Sequence, residues 1–221
     1  NISFTAEQGN LIWIYGNSGA GKSTFLNLIT GIDYPDSGEI EWGDKNINKM
    51  SNGERAKFRL ENCGLIFQFF ELIKSQTIFD NASIPLKIQK KSKKEIRETL
   101  MPLFEYFDLK DLIYKKPNEL SGGEKQRVSI VRALSCNPKY ILADEITSSL
   151  DSDRSNQVYK YLRKYLKEKN GVGIFVFETG TGENTAPNGK IELLAAKSVG
   201  VFAKNNGSTH TAENAGNIIL G

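Results

Sequence analysis

The sequence is poor in the residues that usually announce metal or disulfide chemistry. Its 221 residues include one histidine, His210, and two cysteines, Cys63 and Cys136. The cysteines stand far apart without metal-ligand spacing, so both are expected to be small, buried, reduced side chains. No apolar run approaches the roughly 20 residues that cross a bilayer, and no secretory leader is expected ahead of the first strand-like segment. A membrane role therefore has to come through a partner. Net charge is small too: 29 basic against 26 acidic residues leave +3, too balanced to imply a nucleic-acid partner. The composition that remains, 39% hydrophobic and 25% charged, excludes a disordered or collagen-like chain. The length suffices for a real core without covalent staples.

Apolar runs and helical spacings alternate along the chain. Leu11–Tyr15, Leu65–Phe67, Tyr140–Ala143 and Ile174–Phe177 read as buried strands. Helices are expected over about Lys22–Thr30, from Ser92 onward, behind Ser121, and over Ser155–Lys169 with Val158, Leu162, Tyr165 and Leu166 inward. Ser92 with Glu95, and Ser121 with Glu124, have capping-box spacing. Pro102 is expected to bend or split its helix. The segment 87–98 is strongly basic and reads as the solvated start of that helix. Pro35, Gly38, Gly43 and Gly53 mark turns around edge strands such as Glu39–Trp42. Strand, helix and strand recur, so the core is an α/β sheet covered on both faces. Beyond Phe177 only short strand candidates stand out, at Ile191–Leu194, Val199–Phe202 and Ile218–Leu220.

The first strand runs into Gly16, Asn17, Ser18, Gly19, Ala20, Gly21, Lys22, Ser23 and Thr24, which satisfies G-x-x-x-x-G-K-[ST] with a strand before it and a helix after. Glycines let successive amides turn inward on phosphate oxygens, and the open helix start adds its own attraction. Lys22 is placed for the β- and γ-phosphates and the Ser23 hydroxyl for Mg²⁺. A chance match of the four fixed positions is about a one-in-a-hundred event in such a chain. Asp144 and Glu145 close another apolar strand. A doubly wound sheet gathers ligands at its strands' carboxyl ends, so Asp144 is expected on the metal and Glu145 on the attacking water.

Between these elements lies Leu120-Ser121-Gly122-Gly123-Glu124-Lys125-Gln126-Arg127. This closely resembles the LSGGQ-type signature of ATP-binding-cassette (ABC) ATPases. The two glycines leave the Ser121 hydroxyl and nearby amides free for an anion. The resemblance implies an α/β fold of the P-loop ABC ATPase type: a mostly parallel sheet, an antiparallel β part, and a helical subdomain at about 75–135 carrying the signature. It implies ATP and Mg²⁺ as ligands, with Ser121, Gly122 and Gly123 meeting ATP held by a second, head-to-tail ABC ATPase subunit. Gln68 matches the Q-loop glutamine, a candidate catalytic residue and metal ligand, and Ser149-Leu150-Asp151 matches the D-loop. Asp144 and Glu145 match the Walker B aspartate and the catalytic glutamate. Phe69–Ile73 through Asn81, Arg55–Arg59 with Glu61, and Tyr34–Gly38 most resemble the branch serving lipoprotein release, macrolide export and antimicrobial-peptide export.

The implied protein is a single nucleotide-binding domain over 1–221, cytoplasmic and held to the inner face of the membrane by transmembrane permease subunits. Phe69, Phe70, Leu72 and Ile73 are expected at that contact. Three departures qualify it. The family's adenine-stacking aromatic would precede Asn1, so the chain is expected to begin inside a longer protein with its N-terminal strand region missing; Trp13 and Tyr15 lie on a buried strand. Ile146 replaces the family's proline after the catalytic glutamate and is expected to loosen that site modestly. Gly180 aligns with the switch histidine, and 180–221 diverges from the family. His210 lies at about twice the family's distance from Glu145, which disfavours it as a displaced switch. A rival function follows: a clamp of the same fold that binds ATP and closes with little turnover.

Overall fold

The computed structural model describes residues 2, 4–146, 149–178, 200–205, 208–211 and 217–220. Its largest element is a six-stranded sheet. Strands β2 (Leu11–Gly16), β5 (Cys63–Ile66), β6 (Tyr140–Asp144) and β7 (Val172–Glu178) run parallel in the order β5-β6-β7-β2. Strands β8 (Gly200–Asn205) and β9 (Ser208–Thr211) extend it antiparallel beyond β2. A four-stranded sheet follows the order β1 (Phe4–Ala6), β10 (Asn217–Leu220), β3 (Glu39–Trp42) and β4 (Lys45–Asn46), with only the last pair antiparallel. Glu39–Trp42, expected at an edge, is an inner strand because β10 and β4 occupy both of its sides. The candidate strand Ile191–Leu194 lies outside the described residues.

The parallel strands are apolar at successive positions because both sheet faces are covered. Ile12, Ile14, Tyr140, Leu142, Ile174 and Val176 point to one face, against α1 (Lys22–Ile29) and α2 (Asn52–Asn62). Trp13, Ile141, Ala143, Phe175 and Phe177 point to the other, where α3 (Ile78–Ile88), α4 (Lys93–Tyr106), α5 (Gly122–Leu134) and α6 (Ser152–Lys169) pack. Val158, Leu162 and Leu166 give α6 its buried stripe, each contributing about 1.5–3 kcal/mol of hydrophobic burial. Tyr165, expected with them, is only partly buried; its hydroxyl donates to the Pro138 carbonyl at 2.9 Å. Among the described residues no helix is long and apolar enough to cross a membrane.

Three local expectations change. Pro102 does not split α4, which runs unbroken to Tyr106. Pro102 lies on the exposed face, where water can serve the Glu98 carbonyl that loses its amide donor, while Leu100 and Phe104 are fully buried and hold the helix down. Cys63 and Cys136 are free but half-buried rather than buried. Desolvation pushes the Cys63 thiol up to about 12. Gly53, expected in a turn between edge strands, lies instead in the first turn of α2, which Ser51 and Glu54 close with a capping box. Ile146 is fully buried in the core beneath the helices.

Candidate functional site

The parallel register sets the site. Asp144 is level with Val176, and Gly16 with Glu178, so β6 and β2 end at the same rim of the sheet. From that rim the chain turns through 17–21 into α1. Gly19 (φ 76°) and Gly21 (φ 88°) adopt the left-handed conformation that side chains with a Cβ resist. Gly21 is the N-cap of α1, no side chain caps that helix start, and its first turn holds no acid. The start therefore keeps amides and positive dipole for an anion. Lys22 is buried, and its ammonium donates to the Gly16 and Asn17 carbonyls at 2.9 and 3.0 Å, bracing the loop from within.

One residue further, the Ser23 hydroxyl donates to Asp144 Oδ2 at 2.7 Å, joining positions 121 residues apart. Glu145 stands beside it at φ 49°, its amide donating to the Val176 carbonyl at 3.0 Å. That left-handed turn separates Glu145 from the strand carrying Asp144. Gln68, just past β5, donates from Nε2 to Glu145 Oε2 at 2.6 Å. Lys22, Ser23, Gln68, Asp144 and Glu145 are thus gathered at one rim. The hydroxyl of Ser23, the carboxylate of Asp144 and the amide oxygen of Gln68 are hard oxygen donors, the set that suits Mg²⁺.

Ser121, Gly122 and Gly123 form a second cluster. A Cβ on Gly123 would lie 3.2 Å from the Ser149 carbonyl oxygen, and one on Gly122 would lie 3.7 Å from Ser149 Cβ. The signature start therefore packs on the segment leading into α6. Its hydroxyl is not free, contrary to the sequence expectation. Ser121 accepts from the Glu124 amide at 3.3 Å and donates to Glu124 Oε2 at 2.8 Å, while its own amide donates to the same carboxylate at 2.7 Å. The glutamate three residues into the helix reaches back and satisfies the cap. These hydrogen bonds, led by that from the Ser121 amide, hold the Glu124 carboxyl below its usual range.

Neither Trp13 nor Tyr15 is placed as a free stacking surface. Trp13 is 7% exposed, with Phe177 stacked at 5.2 Å and Tyr159 and Phe175 at 5.2 and 5.6 Å between ring centroids. Tyr15 stacks on Phe177 at 5.5 Å. Gly180 lies outside the described residues. His210 is opposite Ala203 on β9, four strand steps from β6, a lateral separation of about 19 Å.

Sequence reasoning missed the residues that hold the segment after Gln68. Arg132 on α5 donates to the Phe70 carbonyl at 2.7 Å and also to that of Glu71, both residues having left-handed backbones. Burial lowers the pKa of its guanidinium. Asn81 is fully buried, accepts from the Ile73 amide at 2.7 Å and donates to the Ile73 and Thr77 carbonyls. Phe69 is left 78% exposed. An arginine late in an amphipathic helix gives no local sign of a carbonyl target some sixty residues earlier; only the fold reveals it.

The comparisons agree with this architecture. Residues 1–148 match the family model described as ABC transporter, and the chain belongs to that family. It has the P-loop ABC ATPase fold, with a mixed parallel and antiparallel sheet and packed helices. The lipoprotein-releasing system ATP-binding protein LolD of Buchnera aphidicola subsp. Acyrthosiphon pisum is 41% identical over 77% of this chain and 75% of its own length. The methionine import ATP-binding protein MetN of Clostridium tetani is 42% identical over 76% of this chain. The chain spans about half the length of that relative (52%). Two dimeric structures of the ATP-binding cassette MJ0796, one a post-hydrolysis state bound to ADP and Pi, superpose with TM-score 0.76 at 35% identity, covering 80% of this chain and 78% of theirs. The family and fold are those of known ATP-hydrolysing cassettes, and the dimeric structures support a second ATPase subunit as partner. A releasing and an importing relative at nearly equal identity leave the branch unresolved.

Proposed function

We propose that the chain is the ATP-binding and ATP-hydrolysing subunit of a membrane transporter, and that Mg·ATP closes two copies head to tail to drive export or extraction of a substrate. The observation that carries this reading is the Ser23–Asp144 hydrogen bond beside an uncapped helix start. It joins a phosphate-binding turn to the strand-end acids.

Gly16 to Thr24 wrap the triphosphate, and Lys22 leaves its two carbonyls for the β- and γ-phosphates. Ser23, Asp144 and Gln68 are the residues that would hold Mg²⁺, which when bound neutralises charge on the phosphates. Glu145 orients and deprotonates the attacking water, with Gln68 fixing its carboxylate. Ser121 of the partner subunit, with its two glycine amides, closes over the γ-phosphate. The exposed Phe69 and half-exposed Ile73 serve permease subunits at the inner membrane face, and no nucleic acid is involved. The lipoprotein-release branch fits the residues from Phe69 to Asn81 and the similarity to LolD. Steady-state phosphate release by the purified chain tests this reading; turnover well above that of Glu145→Gln supports it.

A clamp with little turnover is the second reading. It is favoured by the position of His210, about 19 Å to the side of the strand bearing Asp144, and by glycine at the aligned switch position. Tight Mg·ATP binding with phosphate release no faster than Glu145→Gln would select it.

A further inference from the structure

The end of α4 is fastened to the first turns of α6 by contacts that the proposed chemistry does not use. The Arg154 guanidinium pairs with Asp108 and also donates to Gln157 Oε1 at 3.3 Å. Gln157 Nε2 donates to the Tyr106 carbonyl at 3.1 Å. The Tyr161 ring lies 4.6 Å from that of Tyr106 and 5.2 Å from that of Phe107. Asp108 holds a left-handed backbone (φ 53°) just past the helix, where glycine would be unstrained. Aspartate tolerates that conformation better than most side chains with a Cβ, and here its carboxylate meets Arg154.

On the composite-site reading, a partner's nucleotide would meet two segments that are linked to this fastening. On one side, Asp151 caps α6 by accepting from the Arg154 amide at 2.8 Å, directly after Ser149 and Leu150, whose atoms would lie 3.2 and 3.4 Å from a Cβ on Gly123. On the other, Phe104 and Phe107 of the α4 end share one buried cluster with Leu120 and Val128 flanking the signature start. Arg127, one turn along α5, feels the charges of Arg154, Glu124, Asp108 and Asp151. The Arg154 and Asp108 side chains are 38% and 55% exposed, so their pair adds little to global stability.

We infer that Asp108 and Arg154 are positioning residues, holding the signature start and the Ser149–Asp151 segment as one unit that each subunit presents to the nucleotide of the other. This rests on the composite-site reading above. The test is a double-mutant cycle of Asp108→Gly and Arg154→Ala in a Glu145→Gln background, with three readouts: Mg·ATP affinity of the monomer, ATP-dependent dimer formation, and nucleotide-free amide exchange over residues 122–125. Asp108→Gly relieves the backbone turn, so its melting temperature should hold or rise.

Each single variant is expected to keep monomeric ATP affinity within about twofold and to weaken dimer formation about five- to tenfold, the double variant losing no more than either. Exchange at 122–125 should quicken in all three, and Asp108→Asn, which keeps an acceptor and tolerates the left-handed turn, should lose less than Asp108→Gly. Unchanged dimerisation and exchange, or losses that add in the double variant, would overturn the inference. Failure of the parent protein to bind Mg·ATP would instead remove the composite site, and the exchange readout would still decide whether the pair orients the signature start.

Discussion

Helices α1 and α5 both begin at glycines, yet their first turns are prepared differently. The start of α1 has no side-chain cap and no acid, and a buried lysine folds back over its loop. The start of α5 is closed by Ser121 and the Glu124 carboxylate, which takes up the Ser121 amide and hydroxyl. One start is open to an anion in the free chain. The other is satisfied by its own side chains, so a phosphate arriving there competes with a carboxylate already in place. On the composite-site proposal, the triphosphate would be taken first by residues 16–24 and the signature engaged only on closure.

The comparison can be broken in several ways. The largest expected effect lies in the chemistry: Glu145→Gln should lower phosphate release about 100- to 10,000-fold with Mg·ATP binding intact, as measured by stopped-time assay and calorimetry. Comparable turnover in the variant would leave Glu145 without its role. Next, Lys22→Ala should weaken ATP binding to the monomer about 10- to 100-fold, the loss of a charged hydrogen-bonding group, whereas Ser121→Ala should leave that affinity unchanged. Ser121→Ala should instead cost about 1 kcal/mol at the α5 start and impair ATP-dependent dimerisation in light scattering. Equal loss of monomer affinity in both variants would erase the distinction between the two starts.

The smallest expected effect is the pH response of the α5 cap. Because the folded Glu124 carboxyl sits below its unfolded value, its contribution is complete above the ordinary glutamate range and is lost as pH falls through the folded value. Protection of the amides over residues 122–125, taken relative to their intrinsic exchange at each pH, should therefore fall below about pH 4.5. Glu124→Gln should show the lower protection at neutral pH and no acid step. An acid step that persists in this variant would assign the titration to another group.

Much of the site could be read from residues close in sequence. The phosphate turn is contiguous, and its glycine pattern states a backbone requirement that needs no other part of the chain. Asp144 and Glu145 could be read because they end an apolar run. The Ser121–Glu124 spacing stated its own cap, and the conflict between that cap and a free hydroxyl was decided by the hydrogen bonds that the fold forms there. What could not be read lies across long separations: Arg132 on the Phe70 and Glu71 carbonyls, Asn81 around residues 73–77, and Asp108 on Arg154. Pro102 misled because a helix tolerates it where the lost hydrogen bond faces water.

By itself the sequence determined the parallel strands β2, β5, β6 and β7 and the helices α1, α4, α5 and α6, which turn must curl around phosphate, and which family the chain joins, because those depend on local backbone preference and on side chains within a few positions; α2 and α3 were not read from it. The tertiary structure alone decided that Gln68 holds Glu145, that Arg132 holds the Phe70 carbonyl, and that β9 carries His210 four strands away from β6. Parallel register and strand order set those distances, and neither is encoded in any single segment.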